Sequence, residues 1–191
     1  MRHAQRRRAT REALIDSATA EIAESGISGA SLRRITKRAG YTQGAFYSNF
    51  STANDLFEAV LEQRMSSRMG KMEAILTSDG SLESVVERLE DWLKSMQQDK
   101  AGMLVMLEFQ LHALRDPEFG GTYNRMRAAQ HDLISRAIDT LRAERGIELK
   151  LPSTMMALGF SALWSGFAMQ GDGAGDGDTD TLIGAFIRAL I

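Results

Sequence analysis

An all-α protein of about nine helices is predicted, and three observations predict it. Apolar residues recur at helical spacing along most of the chain, and no segment alternates convincingly as a strand. Only two prolines interrupt 191 residues, and Ala, Leu, Met and Arg are abundant. Hydrophobic residues make up 43% of the chain, enough for a real core.

The first helix is expected over about residues 11–25, capped by Thr10, with Leu14, Ala18 and Ile22 on one face. Gly26 and Gly29 open a loop. Ser31 can cap a second helix in which Leu32, Ile35 and Ala39 share a face, and Gly40 stands where that helix must stop. Thr42 can cap a third helix reaching about Asn49, with Phe46 and Phe50 turned inward. Thr52 and Asp55 read as a capping-box variant for a long fourth helix carrying Leu56, Phe57, Val60 and Leu61. Further helices are expected near 81–98, 102–115, 117–145, 152–170 and 180–190, with Pro117 and Pro152 at first-turn positions.

Charge divides the chain. Residues 1–50 hold nine Lys and Arg against four Asp and Glu, while residues 51–191 hold fourteen against twenty-one. A basic head on an acidic body suits a polyanion partner for the head alone. Two short helices around a tight glycine turn, braced by helices before and after, form a helix-turn-helix unit. Its second helix can enter a major groove by the turn Thr42-Gln43-Gly44-Ala45, where Gln43 can read a base edge and the helix N-terminus favours phosphate. Lys37, Arg38 and the arm Arg6-Arg7-Arg8 supply attraction to the DNA backbone. Each residue also has a plainer reading: Tyr47 as a cover for the small core, Gln43 as a solvated glutamine, the arm as a solubilising tail.

The framework from Thr10 to Leu61 resembles the TetR family of transcriptional regulators. The resemblance rests on the Gly26 loop, Ser31-Leu32-x-x-Ile35, Ala39-Gly40, Gly44-Ala45-Phe46-Tyr47-x-x-Phe50 and Leu56, about a quarter of the chain. It implies that Thr42 and Tyr47 contact phosphates and that Gln43 and Gly44 face bases. One position departs: Ala53 stands where the family usually has a lysine, and Thr52 is the candidate substitute by hydrogen bonding. The division expected is a DNA-binding domain over 1–57 and a helical ligand-binding and dimerisation domain over 58–191.

In that second domain, Trp92, Met96, Met103, Met106, Phe109, His112, Met126, Met156, Phe160 and Trp164 are candidates for an adaptable apolar pocket, with core filling as the plain alternative. Residues 151–171 carry no charge. Pro152, several hydroxyl residues and the lack of basic flanks favour a buried helix over a membrane span. Its small face, Gly159, Ala162 and Gly166, suits close packing across a two-fold axis. Phe186, Ile187 and Leu190 of the last helix would add apolar area there, in keeping with the family's pairing through its last two helices.

The absence of cysteine excludes disulfides and thiolate metal sites. His3, His112 and His131 have no zinc-binding spacing, the acidic run 172–178 lacks the glutamate of a calcium loop, and no catalytic or nucleotide-binding motif is present. No cofactor and no metal are expected. The basic N-terminus lacks a signal-peptide core, so a cytoplasmic protein is expected. The expected function is a ligand-responsive regulator, most often a repressor in this family, acting as a homodimer on a double-stranded DNA operator under an unknown small-molecule effector. The alternative is a helical DNA-binding or interaction protein without such a ligand.

Overall fold

The computed structural model describes residues 2–170, together with 184–185 and 188–189. Helices α1 (Arg2–Gly29), α2 (Leu32–Ala39), α3 (Gln43–Tyr47), α4 (Ala53–Leu76), α5 (Leu82–Gln98), α6 (Lys100–Arg115), α7 (Pro117–Arg145) and α8 (Ser153–Gln170) follow in order, and no strand occurs among the described residues. Of the last expected helix, residues 184–185 and 188–189 are helical; Phe186, Ile187 and Leu190 lie outside the described residues.

Local signals set most boundaries. The hydroxyl of Ser31 accepts the Arg34 N–H at 3.2 Å, and that of Thr42 accepts the Ala45 N–H at 3.2 Å. Gly40 ends α2 in the left-handed region (φ 74°), where the Tyr41 N–H turns back to the Thr36 carbonyl at 2.9 Å. The Asp55 carboxylate accepts the N–H groups of Ser51 and Thr52 at 2.8 and 3.0 Å, while the Thr52 hydroxyl accepts the Asp55 N–H at 3.1 Å.

The start of α1 differs from expectation. The arm Arg6-Arg7-Arg8 is helical and continuous with α1, and Thr10 is not a cap. Thr10 is buried inside the helix, its hydroxyl donating to the Arg6 carbonyl at 2.9 Å. Arginine is a good helix former, and the Arg8–Glu12 pair at 2.8 Å adds i,i+4 support. At its other end α1 breaks at Gly26, whose backbone is left-handed in φ (68°).

One compact unit comprises the chain through Arg64 with Lys100–Arg125. Its core joins Leu14, Ala18, Ile22, Ile35, Phe46 and Leu61 to Val105, Phe109 and Phe119, all buried. α6 packs along α1. Phe109 is a core residue of this unit, stacked on Phe119 with ring centroids 5.7 Å apart. The short helices α2 and α3 gain stability from this shared core, since neither buries enough alone.

The second unit comprises Met65–Asp99 and the chain from Met126. Met72, Leu76, Val85, Ile134, Leu141 and Ala157 form its core cluster, with Trp92 and Phe160 packed against it. Leu89 and Leu93 form a second cluster under Trp92, Phe160 and Trp164. No helix among the described residues is long and apolar enough to cross a membrane.

Candidate nucleic-acid interface

The first turn of α3 and its exposed face hold Thr42, Gln43, Gly44 and Tyr47, all exposed. Tyr47 is 61% accessible, its ring edge-on to the buried Phe46 at 5.2 Å, so the phenol projects from the core it leans on. Arg7 donates to the Ser48 carbonyl at 3.1 Å, and the Arg11 guanidinium lies 4.7 Å from the Phe50 ring centre. These two contacts join α1 to the end of α3.

The basic residues divide sharply. The exposed Lys37 ammonium makes no hydrogen bond or ion pair with the described residues, and the Arg6 guanidinium is equally free. Arg38 is not. Its guanidinium meets Glu21 at 3.1 Å and Glu24 at 2.5 Å. Arg34 lies 2.8 Å from the other Glu21 oxygen, an ion pair too oblique for a directed hydrogen bond, and donates to Ser25 and the Gly29 carbonyl. The Glu21 side chain is only 6% exposed, so this pair of arginines neutralises a nearly buried carboxylate. The Arg38 hydrogen bond holds the Glu24 carboxyl below its ordinary value, and Glu24 in turn raises Arg38. Arg38 thereby braces α1 against α2. Arg8 is paired with Glu12.

Thr52 is likewise occupied, donating to Asp55 at 2.9 Å while accepting the Asp55 N–H. Its single hydroxyl proton belongs to the cap of α4. Ala53 beside it is exposed.

The second unit contains an apolar cavity of about 80 Å³ between α4, α5, α7 and α8. Of the expected pocket residues, Met156 and Phe160 line it. Trp92 and Trp164 pack beside Leu89 and Leu93 instead. Met96 and Met126 are half-buried outside the lining, and Met103, Met106, Phe109 and His112 belong to the other unit. There the His112 ring packs on Phe119 at 4.7 Å and approaches Asn54 at 3.5 Å. The unanticipated lining comes mainly from aliphatic faces, Leu82, Val85, Val86 and Leu89 on α5 and Ile134, Ile138 and Leu141 on α7. Their i, i+3, i+4, i+7 stripes were readable, but a stripe marks any buried face and does not single out one beside a void.

Residues 14–60 match the family model of bacterial regulatory proteins, tetR family. YvdT, an HTH-type transcriptional regulator of Bacillus subtilis, is 32% identical over 80 residues. That match spans 42% of this chain and 41% of the relative's length. A TetR-family regulator from Mesorhizobium loti superposes with TM-score 0.79 at 18% identity over 96% of both chains. A Rhodococcus regulator of the same family gives 0.80 at 21%, covering 95% of this chain and 98% of its own. The reduced form of Escherichia coli NemR gives 0.79 at 18%, covering 95% and 97%. At such identities these likenesses concern the fold.

Proposed function

We propose that this chain, whose residues 14–60 match the family model, is a member of the TetR family of transcriptional regulators and acts as a homodimeric repressor released from a palindromic operator by a small, largely apolar effector. The observation that carries the reading is the exposed turn Thr42-Gln43-Gly44 with Tyr47, held on a five-residue helix whose opposite side, Phe46, is fully buried. A rigid support under a polar tip is what base reading requires. Gln43 and Gly44 face bases, Thr42 and Tyr47 hold phosphates, and Lys37 with Arg6 supplies charge.

Pairing rests on α8. Met155, Leu158, Ala162 and Met169 are exposed along one side of it, and Gly159 and Gly166 are half-buried beside them. Such a stripe on a helix without charged residues suits a second copy related by a two-fold axis. Effector binding in the cavity would act through α4, one continuous helix that carries Met72 and Leu76 at the lining and begins at Ala53. A coupling of about 1–3 kcal/mol is sufficient to switch operator affinity. With no cysteine in the chain, a thiol switch has no chemistry here. The reading is of a cytoplasmic, non-enzymatic protein.

The alternative, a DNA-binding protein without an effector, is favoured by the modest size of the cavity. A mobility-shift titration on the DNA upstream of its own gene tests the reading. Specific, salt-sensitive retardation is expected; binding no tighter than to unrelated DNA overturns it.

A further inference from the structure

Fourteen of the described residues line the cavity in the second unit, and thirteen of them are apolar. The exception is Arg142. Among the described residues no carboxylate, amide or hydroxyl side chain reaches the lining, so a ligand with several polar groups would leave them unsatisfied. Arg142 itself is exposed, and its guanidinium has no hydrogen bond or ion pair with the described residues. Its neighbours differ. Arg145 donates to the carbonyls of Gly80 and Ser78, and Arg88 donates to that of Asp79, so both hold the α4–α5 loop. Arg142 alone of these three is available.

We propose that the cavity binds a short aliphatic carboxylate, its hydrocarbon tail among the side chains of α5, α7 and α8 and its carboxylate on Arg142. The proposal rests on the effector-responsive reading above and names the effector's class. A guanidinium offers five donors and no acceptor, so its partner must accept, and a carboxylate accepts two parallel bonds. Size limits the tail. A cavity of about 150 Å³ admits benzene, so the 80 Å³ here fits a tail of about three to four carbons.

Valerate, its neutral isostere pentanamide, and acetate are the probes, with binding read by methyl NMR shifts of Met156 and operator release read separately by anisotropy. Valerate should bind about three- to tenfold more tightly than pentanamide, a modest ratio because Arg142 is solvent-exposed. Acetate should bind weakly for want of a tail. R142Q should abolish the preference for the acid, and R142K should retain part of it. Equal binding of valerate and pentanamide, an unchanged preference in R142Q, or no methyl perturbation by valerate would each overturn the proposal. Operator release by pentanamide as effective as by valerate would remove the carboxylate class and leave the effector-responsive reading intact. Arg142-dependent valerate binding without operator release would do the reverse.

Discussion

Glu108 of α6 accepts a hydrogen bond from the backbone N–H of Ile27 at 2.9 Å, across 81 residues of sequence. The bond falls where α1 breaks at Gly26, and a Cβ at Gly26 would lie 3.0 Å from the same carboxylate. The glycine thus serves both the left-handed backbone and the approach of Glu108. Glu108→Ala should leave the Ile27 N–H unpaired and cost about 1–2 kcal/mol, whereas Glu108→Gln keeps an acceptor and should cost less. Thermal melts of the two variants compare them directly, and equal losses would mean that the bond is not the stabilising feature.

Lys37 and Arg38 are neighbours with different expected roles. Lys37→Ala should weaken DNA binding and reduce the log-log salt slope by about 0.9 for each head, because a free charge is removed from phosphate. Arg38→Ala should lower stability and leave the slope nearly unchanged, since Glu21 and Glu24 already hold that charge. Anisotropy titrations over a salt series separate the two.

Gln43 should specify and Tyr47 should position. Gln43→Ala is expected to relax the preference at one operator position at a cost of about 1–3 kcal/mol there. Tyr47→Phe keeps the edge-on packing against Phe46 and removes only the hydroxyl, so it should weaken all sequences alike. A panel of single-base operator variants distinguishes these patterns.

Acid stability should depend on two capping carboxylates. Asp116 is held below its ordinary value of 3.8 by the Phe119 N–H, then by the Asn54 amide and the Glu118 N–H. Asp55 is lowered from the same value by the Thr52 hydroxyl, then by the N–H groups of Thr52 and Ser51. A lowered folded pKa adds stability that is fully present above the unfolded value and lost as pH falls through the folded one. Asp116→Asn should therefore be less stable than the parent at neutral pH, with the gap closing below about pH 4. Circular dichroism melts across that range provide the check, and a gap independent of pH would refute the assignment.

The exposed side of α8 should be an interface. Leu158→Asp with Met155→Asp places two charges among Ala162 and Met169, and desolvating them on pairing is costly. The double variant is expected to sediment as a monomer with parental helicity and to bind operator weakly. A dimer of normal stability would move the interface elsewhere.

Much of this protein is legible from local sequence. The hydroxyls of Ser31 and Thr42, the Thr52–Asp55 box and Gly40 each act within four residues, and each was readable where it acts. The helix expected at 81–98 is Leu82–Gln98, and the one at 117–145 is Pro117–Arg145, because Ser81 and Pro117 mark their own starts. Thr10 misled for the opposite reason: a residue suited to capping is no cap when its hydroxyl finds a carbonyl one turn back in a helix already formed.

The sequence by itself determined the helical class, the helix-turn-helix unit with its exposed Gln43 and Tyr47, and the chemistry that the lack of cysteine rules out. Only the tertiary structure decided that Arg38 is tied to Glu21 and Glu24 while Lys37 is free, that Phe109 fills a core, and that an aliphatic cavity carries Arg142. The physical reason is range. Caps and periodic faces follow from 3.6 residues per turn, whereas ion-pair partners and voids depend on which distant faces meet, and many packings satisfy the same stripes.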